Sequence, residues 1–237
     1  MKIKNFIITL VSAIALLIST SAISFAKVVG DKIVLGAAVS LTGKYSSNGV
    51  HTQNGYNMAV DRINSMGGVK VGGKTYKFEI IYYDDESNPK RAAQLAERLI
   101  SQDGVEFMLG PYSSGLTKAM APVTEKYGVP MVEANGASRS LFTKGYKYLF
   151  AVLAPANLYL DVAIRTAVEL NGGKGVNIAM AFEQDAFSQD VRLGIVDAAE
   201  DTGSKIVIDD KLPKELNDMA ATLAKVKAVK PDVLVVS

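Results

Sequence analysis

Short apolar runs alternate with longer segments whose apolar residues recur at helical spacing, and this alternation constrains the fold more than any other feature. The runs at 33–39 and 77–83 are rich in β-branched and aromatic residues, which is typical of strands. The segment at 53–64 between them has helical spacing. Strands that alternate with helices in this way form mainly parallel sheets covered by helices. The sequence therefore predicts a doubly wound α/β fold.

The alternation continues and then begins afresh after residue 152, which predicts two lobes. The other elements of the first lobe are a helix that opens at Asn88-Pro89, a strand at 105–109, a helix at 113–127 and strands at 129–132 and 148–152. Those of the second lobe are helices at 158–170, 188–201 and 217–228 and strands at 176–182, 205–209 and 233–236. Pro155 cannot continue a central strand, so we expect an N-terminal lobe at 27–153 and a partial second lobe at 154–237. Ligands of open α/β sheets bind beyond the carboxyl ends of the strands, so the lobes are expected to face a cleft.

The last residue, Ser237, directly follows the apolar run at 233–236. A strand of this kind needs cover on both faces, and no later segment of this chain supplies it. We therefore expect the chain to be the N-terminal part of a longer two-lobed protein, with the second lobe incomplete.

The N-terminus has the features of an export signal. Lys2 and Lys4 precede an apolar stretch at 6–18, and a small-x-small sequence ends at Ala26. The most apolar part is shorter than the about 20 residues that a membrane-spanning helix needs. Residues 1–26 are therefore predicted to be a signal peptide that is cleaved after Ala26, which places the mature protein in the periplasm.

Composition excludes several classes of protein. The chain has no cysteine, which rules out disulfides, thiolate metal sites and the lipid-bearing cysteine of a bacterial lipoprotein. It has 26 Lys and Arg against 24 Asp and Glu, and loss of Lys2 and Lys4 with the signal leaves 24 against 24. A mature net charge near zero removes the electrostatic support for a nucleic-acid partner.

Signatures of catalysis are missing from the sequence. No nucleophile elbow, dinucleotide-binding turn or Walker loop occurs, and the single histidine, His51, cannot form a multi-histidine metal site. We interpret His51 as a surface or rim residue. The sequence therefore indicates no catalytic residue, no metal site and no cofactor, and an enzyme on an α/β scaffold is the least supported alternative.

The stretch Gly110-Pro-Tyr-Ser-Ser-Gly115 joins the predicted strand at 105–109 to the predicted helix at 113–127. A strand-to-helix turn of this kind directs backbone N–H groups, and here the hydroxyls of Ser113 and Ser114, toward one point. The positive end of the helix dipole favours an anion such as a carboxylate there. Serines at this position can also be simple helix caps.

A series of short motifs stands in a characteristic order along the chain. They are Leu41-Thr-Gly43, Asn54-Gly55, Ala59-Val60, Ile63-Asn64, Gly67-Gly68-Val69, Tyr83-Asp84-Asp85, Asn88-Pro89, Gly110-Pro-Tyr-Ser-Ser-Gly115 and Gly128-Val-Pro-Met131. In this order and spacing the chain resembles the type I periplasmic binding proteins. The resemblance is to the branched-chain amino acid (leucine/isoleucine/valine) binding proteins of ABC importers and their amide-binding relatives, and it covers residues 32–237.

The resemblance implies a set of ligand contacts. The family's hydroxyl contact in the first lobe corresponds to Ser114, with Ser113 beside it, and an aromatic residue that covers the ligand from the second lobe corresponds to Phe187. Further contacts are implied for the loop after the fourth predicted strand, at Asn135, Gly136, Ala137 and Ser138. Two of these assignments have an alternative interpretation: Asn135-Gly136 can be an ordinary turn, and Phe187 can be an ordinary core residue.

Three departures from the family pattern leave the ligand open. Asn48, a further predicted ligand residue, stands where the family often has tyrosine, and Ala137 stands where the amino acid binders have threonine. The acidic residue that meets the ligand's ammonium group in those proteins would lie beyond Ser237. The expected ligand is therefore a small amino acid, an amide or a related small polar solute.

The acidic run Asp84-Asp85-Glu86 is the remaining candidate for chemistry. Adjacent side chains on an extended chain point to opposite faces, so the run does not form a metal cluster or a carboxylate pair. We expect it to be a solvated loop.

The sequence thus predicts an extracytoplasmic solute-binding protein that closes its two lobes on a small ligand and delivers it to the membrane permease of an ABC transporter. The alternative from the signalling class is the ligand-sensing part of a receptor or regulator, and a transmembrane span or signalling domain after Ser237 would favour it.

Overall fold

The structure, a computed structural model, describes residues 28–213, 216 and 218–237. The predicted signal peptide, residues 1–26, lies outside the described residues. No helix in the described part of the chain has the length and hydropathy to cross a bilayer.

Strands and helices alternate along the described chain. The strands are β1 (Val28–Val29), β2 (Lys32–Val39), β3 (Val69–Val71), β4 (Lys74–Asp84), β5 (Met108–Leu109), β6 (Met131–Glu133), β7 (Leu149–Ala151), β8 (Asn177–Glu183), β9 (Lys205–Leu212) and β10 (Val233–Val236). The α-helices are α1 (Ser46–Ser65), α2 (Pro89–Ser101), α3 (Ser114–Tyr127), α4 (Asp161–Leu170), α5 (Ala186–Thr202) and α6 (Ala220–Val229).

Two separate sheets organise the described residues. The first has the order β3-β4-β2-β5-β6-β7, with β1 paired to β2, and the second has the order β10-β8-β9. All pairs are parallel except β1 with β2 and β3 with β4. The predicted fold class, two mainly parallel α/β lobes, is therefore confirmed. The exact boundary at residue 154 stays a prediction, in the connection between β7 and β8.

Each lobe has its own apolar core. In the first lobe, the buried Leu99 of α2 and Met120 of α3 pack in one cluster with Met108 and Met131 of the sheet. In the second lobe, the apolar run of β8 packs with buried residues of α4 and α5, which fits the stripe predicted for helices that cover a sheet. Ala137, in the loop after β6, belongs to this second cluster, so that loop of the first lobe packs against the second lobe.

Several predicted boundaries shift in the structure. Helix α1 begins at Ser46 rather than at Gln53, so Asn48 and His51 lie in its first turns. The strand predicted from residue 105 is paired only at Met108–Leu109. Helix α4 begins at Asp161, because the preceding residues form a separate 3₁₀ turn, Ala156–Leu158. The start predicted for the last helix, Asn217, lies outside the described residues, and α6 begins at Ala220.

The prediction that Asp84-Asp85-Glu86 is a solvated loop is wrong for Asp85, which is fully buried. Parallel pairing places the end of β4 beside the end of β2, and the loop after β2 folds over the acidic run. There Oδ1 of Asp85 accepts hydrogen bonds from the Ser40 hydroxyl at 2.6 Å and from the Ser87 N–H at 2.8 Å, whereas Oδ2 is buried without a hydrogen-bond partner among the described residues. Burial raises the pKa of Asp85, while these two hydrogen bonds oppose the shift.

Two helical glycines provide a matched pair for testing the close contact between α5 and the backbone of the connection before α4. A Cβ on Gly194 of α5 would lie 1.8 Å from the backbone oxygen of Asn157, whereas a Cβ on Gly55 of α1 would meet nothing within 4 Å. We expect Gly194→Ala to lower the free energy of unfolding by about 1–3 kcal/mol, because the backbone must shift. Gly55→Ala should raise it by about 0.5–1 kcal/mol through helix propensity. Urea denaturation checks both, and equal effects of the two substitutions would contradict this view of the contact.

Candidate functional site

A cavity of about 450 Å³ lies where the loops at the carboxyl ends of both sheets meet, a volume within the usual range for small-molecule sites. The residues that line it lie at a strand end, in the connection that follows it or at the start of a helix, as expected for an open parallel sheet. The lining residues of the first lobe are Lys44, Tyr45, Ser87, Pro89, Tyr112, Ser113, Ser114, Gly115, Leu116 and Asn135, and those of the second lobe are Glu183, Asp185, Phe187 and Ser188.

The turn into α3 carries the two predicted serines, and they play different parts. Ser113 caps the helix: its Oγ accepts a hydrogen bond from the Leu116 N–H at 3.3 Å. Its backbone has φ 79° and ψ 145°, a conformation that costs about 1–3 kcal/mol in a residue other than glycine and that recurs at ligand sites. Ser114 is buried, and its Oγ accepts a hydrogen bond from the Ser138 N–H at 3.0 Å. Ser114 therefore also joins the turn to the loop after β6.

Of the four residues predicted in that loop, only Asn135 is among those lining the cavity. Gly136, Ala137 and Ser138 are buried behind its wall. The hydroxyl of Ser138 donates to the carboxylate of Asp190 on α5 at 2.6 Å. This bond directs the Ser138 side chain toward the second lobe and holds the loop against α5.

Phe187 lies across the cavity from the serines, in the first turn of α5. Its ring is half-buried and meets the ring of Tyr159 edge to face, with 5.6 Å between the centroids. Asp185 caps this helix through hydrogen bonds from the N–H groups of Phe187 and Ser188. The structure thus brings Ser113, Ser114, Asn135 and Phe187 to one cavity between the lobes.

Asn48 lines a second, adjoining cavity of about 420 Å³. The two cavities share Tyr112 and Asn135. The residues around the second one are Asn48, His51, Thr52, Gly55, Tyr56, Tyr112, Ala134 and Asn135. The Tyr56 hydroxyl donates to the backbone oxygen of Gly110 at 2.8 Å, and burial raises the pKa of Tyr56.

The main cavity is electrostatically asymmetric because its two helix starts are capped differently. The cap of α3 is the neutral Ser113, whereas the carboxylate of Asp185 already offsets the positive end of α5. Lys44 forms an ion pair with Glu183 across the cleft at 3.1 Å, and this hydrogen bond raises the pKa of Lys44. Exposed pairs contribute about 1 kcal/mol or less. The arrangement favours an anionic group at the start of α3 and a cationic group toward Glu183 and Asp185.

Sequence reasoning missed several residues of this region, among them Lys44, Tyr45, Tyr112, Glu133 and Glu183. The rings of Tyr45 and Tyr112 lie 5.5 Å apart, which depends on the neighbouring positions of β2 and β5 in the sheet. The sequence did indicate that Tyr112 could belong to the site, because Tyr112 stands inside the strand-to-helix turn that contains the two serines. The indication for Glu133 was weaker: it is a single acidic residue at the end of an apolar strand.

Comparison with known proteins identifies the family. The model of the family described as "Periplasmic binding protein" matches residues 32–237. The chain therefore belongs to the periplasmic binding protein family, and the resemblance to type I members of the leucine/isoleucine/valine-binding group is confirmed. The family consists of solute-binding proteins, and its description implies a periplasmic location.

Three similar proteins indicate what members of this family bind. The leucine-, isoleucine-, valine-, threonine- and alanine-binding protein of Pseudomonas aeruginosa is 27% identical over 83% of this chain and 51% of its own length. The branched-chain amino acid transporter substrate binding protein LivJ of Streptococcus pneumoniae, solved with isoleucine, is 26% identical with a TM-score of 0.75, over 86% of this chain and 56% of that one. An ABC transporter solute binding protein of Rhodopseudomonas palustris, solved with 3,4-dihydroxybenzoic acid, is also 26% identical, with a TM-score of 0.74 over 87% and 54%. The chain thus spans about half the length of the curated relatives it matches.

The hydrogen bond between Ser138 and Asp190 leads to a test of the contact between the loop and α5. Ser138→Ala removes the hydroxyl that donates to the buried Asp190 carboxylate. Of the donors in this loop, the Ser140 N–H then remains, at 3.2 Å. We expect a loss of about 1–3 kcal/mol in the free energy of unfolding. Thr143→Ala is the control, because its hydroxyl bond is exposed and its loss should change stability by less than about 0.5 kcal/mol. Two equal losses in urea denaturation would contradict a special role for this contact.

Proposed function

We propose that this protein is the periplasmic solute-binding component of an ABC importer and that it captures a small solute bearing a carboxylate. It closes its lobes over this ligand and hands it unchanged to the membrane permease. It carries out no chemistry of its own.

The observation that supports the proposal most is that Ser113 and Ser114 of the first lobe and Phe187 of the second line one cavity. A ligand in this position contacts both lobes at once. Its binding free energy therefore favours the closed arrangement, and only such a difference in affinity can shift the equilibrium between open and closed states.

The groups at the start of α3 indicate which chemical class of ligand the cavity suits. Isoleucine and 3,4-dihydroxybenzoic acid, the ligands of two similar solved proteins, share a carboxylate and little else. The neutral cap and the unpaired N–H groups of the first helical turn suit such a group. The tyrosine rings of the cavity and Phe187 suit an apolar or aromatic remainder, while Glu183 and Asp185 suit an ammonium group.

A negative charge at the start of α3 tests this assignment. Gly115 is exposed, lines the cavity and occupies the second position of the helix, and its added Cβ would meet only the Ser113 Oγ, at 3.7 Å. We expect Gly115→Asp to weaken binding of isoleucine or 3,4-dihydroxybenzoate by about tenfold or more, equal to about 1.4 kcal/mol, because the new carboxylate repels that of the ligand. Isothermal titration calorimetry of the full-length protein measures the change.

The matched control is Ala221→Asp, at the second position of α6 and away from the cavity. Both substitutions place an acid in a first helical turn, so both should preserve or slightly raise stability without ligand. Unchanged affinity in Gly115→Asp would contradict the carboxylate assignment. Absence of thermal stabilisation by amino acids, amides and small carboxylates would contradict the proposed function itself.

A further inference from the structure

Glu133 is a fully buried acid at the junction of the two loops that carry most of the predicted ligand residues. It is the last residue of β6, and none of the ion pairs among the described residues involves it. A buried carboxylate without a cationic partner is costly, so the group must either be held by hydrogen bonds or carry a proton.

The carboxyl group contacts both loops. Its Oε1 accepts hydrogen bonds from the N–H groups of Asn135 and Gly136, and its Oε2 lies 2.7 Å from the Thr117 hydroxyl in the first turns of α3. A Cβ on Gly110 would lie 2.0 Å from Oε2, so the turn before α3 passes directly over the carboxyl group. Glycine at this position permits the close approach.

The hydrogen atoms available to these contacts indicate the protonation state. The Thr117 Oγ1 lies 2.7 Å from Glu133 Oε2 and also 2.9 Å from the backbone oxygen of Ser113. A hydroxyl has one hydrogen and can donate only one of these bonds. Both bonds form together only if Glu133 carries a proton and donates it to Thr117, while Thr117 donates to Ser113.

The pKa of Glu133 also favours the protonated form that these hydrogen bonds require. Burial raises the pKa of Glu133 to about 7, although the hydrogen bonds from Thr117 and the backbone of its own loop oppose the shift. The titratable group that faces it from α1 is Tyr56, with His51 on the same helix lining the adjoining cavity, and α3 presents the uncharged Thr117.

We propose that Glu133 is a positioning residue whose neutral carboxyl group, through Thr117, holds the loop after β6 and the start of α3 in the arrangement that accepts the ligand. When Glu133 ionises, the Thr117 hydroxyl turns from Ser113 to the carboxylate. A negative charge then also lies beneath the anion-binding end of α3. Binding of a carboxylate ligand is therefore coupled to uptake of one proton by Glu133. This inference takes the class of ligand from the proposed function. The protonation of Glu133 itself is argued only from contacts in the ligand-free protein.

The first test needs no ligand. Glu133→Gln keeps an oxygen for the two N–H groups and an N–H donor for Thr117, so it mimics the neutral acid. The pKa of Glu133 is about 7 in the folded protein and about 4.3 in the unfolded chain. Between these two pH values the folded state therefore binds more protons than the unfolded state. Stability of the wild type should consequently fall relative to Glu133→Gln as the pH rises through this window, by at least about 2 °C in melting temperature.

Glu125→Gln is the matched control, because Glu125 also accepts two backbone N–H groups, from Lys147 and Tyr148, but does so at an exposed site. It should retain the pH dependence of the wild type. If Glu133→Gln fails to fold, the ¹⁵N shifts of the Asn135 and Gly136 N–H groups in the wild type decide the question. A shared transition near neutral pH supports the proposal, and flat shifts between pH 5 and pH 8.5 overturn it.

The second test uses isoleucine and 3,4-dihydroxybenzoate as probes, with calorimetry in buffers of different ionisation enthalpy. The wild type should take up close to one proton per ligand above neutral pH and lose affinity by about threefold or more between pH 6 and pH 8. In Glu133→Gln both the proton uptake and this pH dependence should disappear. Equal proton uptake by the two proteins would overturn the coupling. If neither probe binds at any pH while the ligand-free titration behaves as expected, the choice of ligand fails and the role of Glu133 in holding the loops remains supported.

Discussion

Parallel strand order is the constraint on which this structure depends. The parallel strands are β4, β2, β5, β6 and β7 in the first sheet and β10, β8 and β9 in the second. Because the strands of each set run in one direction, their carboxyl ends and the starts of the following helices collect at one edge. Residues far apart in the sequence, such as Lys44, Ser113 and Phe187, therefore reach a common cavity. The unpaired N–H groups at these helix starts make the same edge suitable for an anion.

The loop after β6 connects this edge to both lobes. Ala137 packs in the core of the second lobe, and Ser138 is bonded to Ser114 on one side and to Asp190 on the other. The loop therefore joins the second lobe to the turn that carries the predicted ligand serines. If the lobes close on a ligand as proposed, this segment contains both the predicted ligand residue Asn135 and the contact that closure would alter.

The cavity combines features that serve different parts of a small solute. The neutral Ser113 cap leaves the start of α3 electropositive, whereas Asp185 has already offset the start of α5. Aromatic rings lie between these ends. Under the proposed function, such a site would discriminate through the position of one carboxylate and tolerate variation in the rest of the ligand. Similar solved proteins are complexes with an aliphatic amino acid and with an aromatic acid.

The sequence by itself determined the α/β class, the two lobes, the family and the turn with Ser113 and Ser114, because hydrophobic periodicity and short motifs are local properties. Only the tertiary structure decided which side chains reach the cavity. Asn48 lies in the first turn of α1 and lines an adjoining cavity rather than the main one. Asp85 and Glu133 became buried because strand pairing folded neighbouring loops over them. Burial of a polar group depends on what packs above it, and that partner is set by sheet order rather than by the residues on either side in the chain.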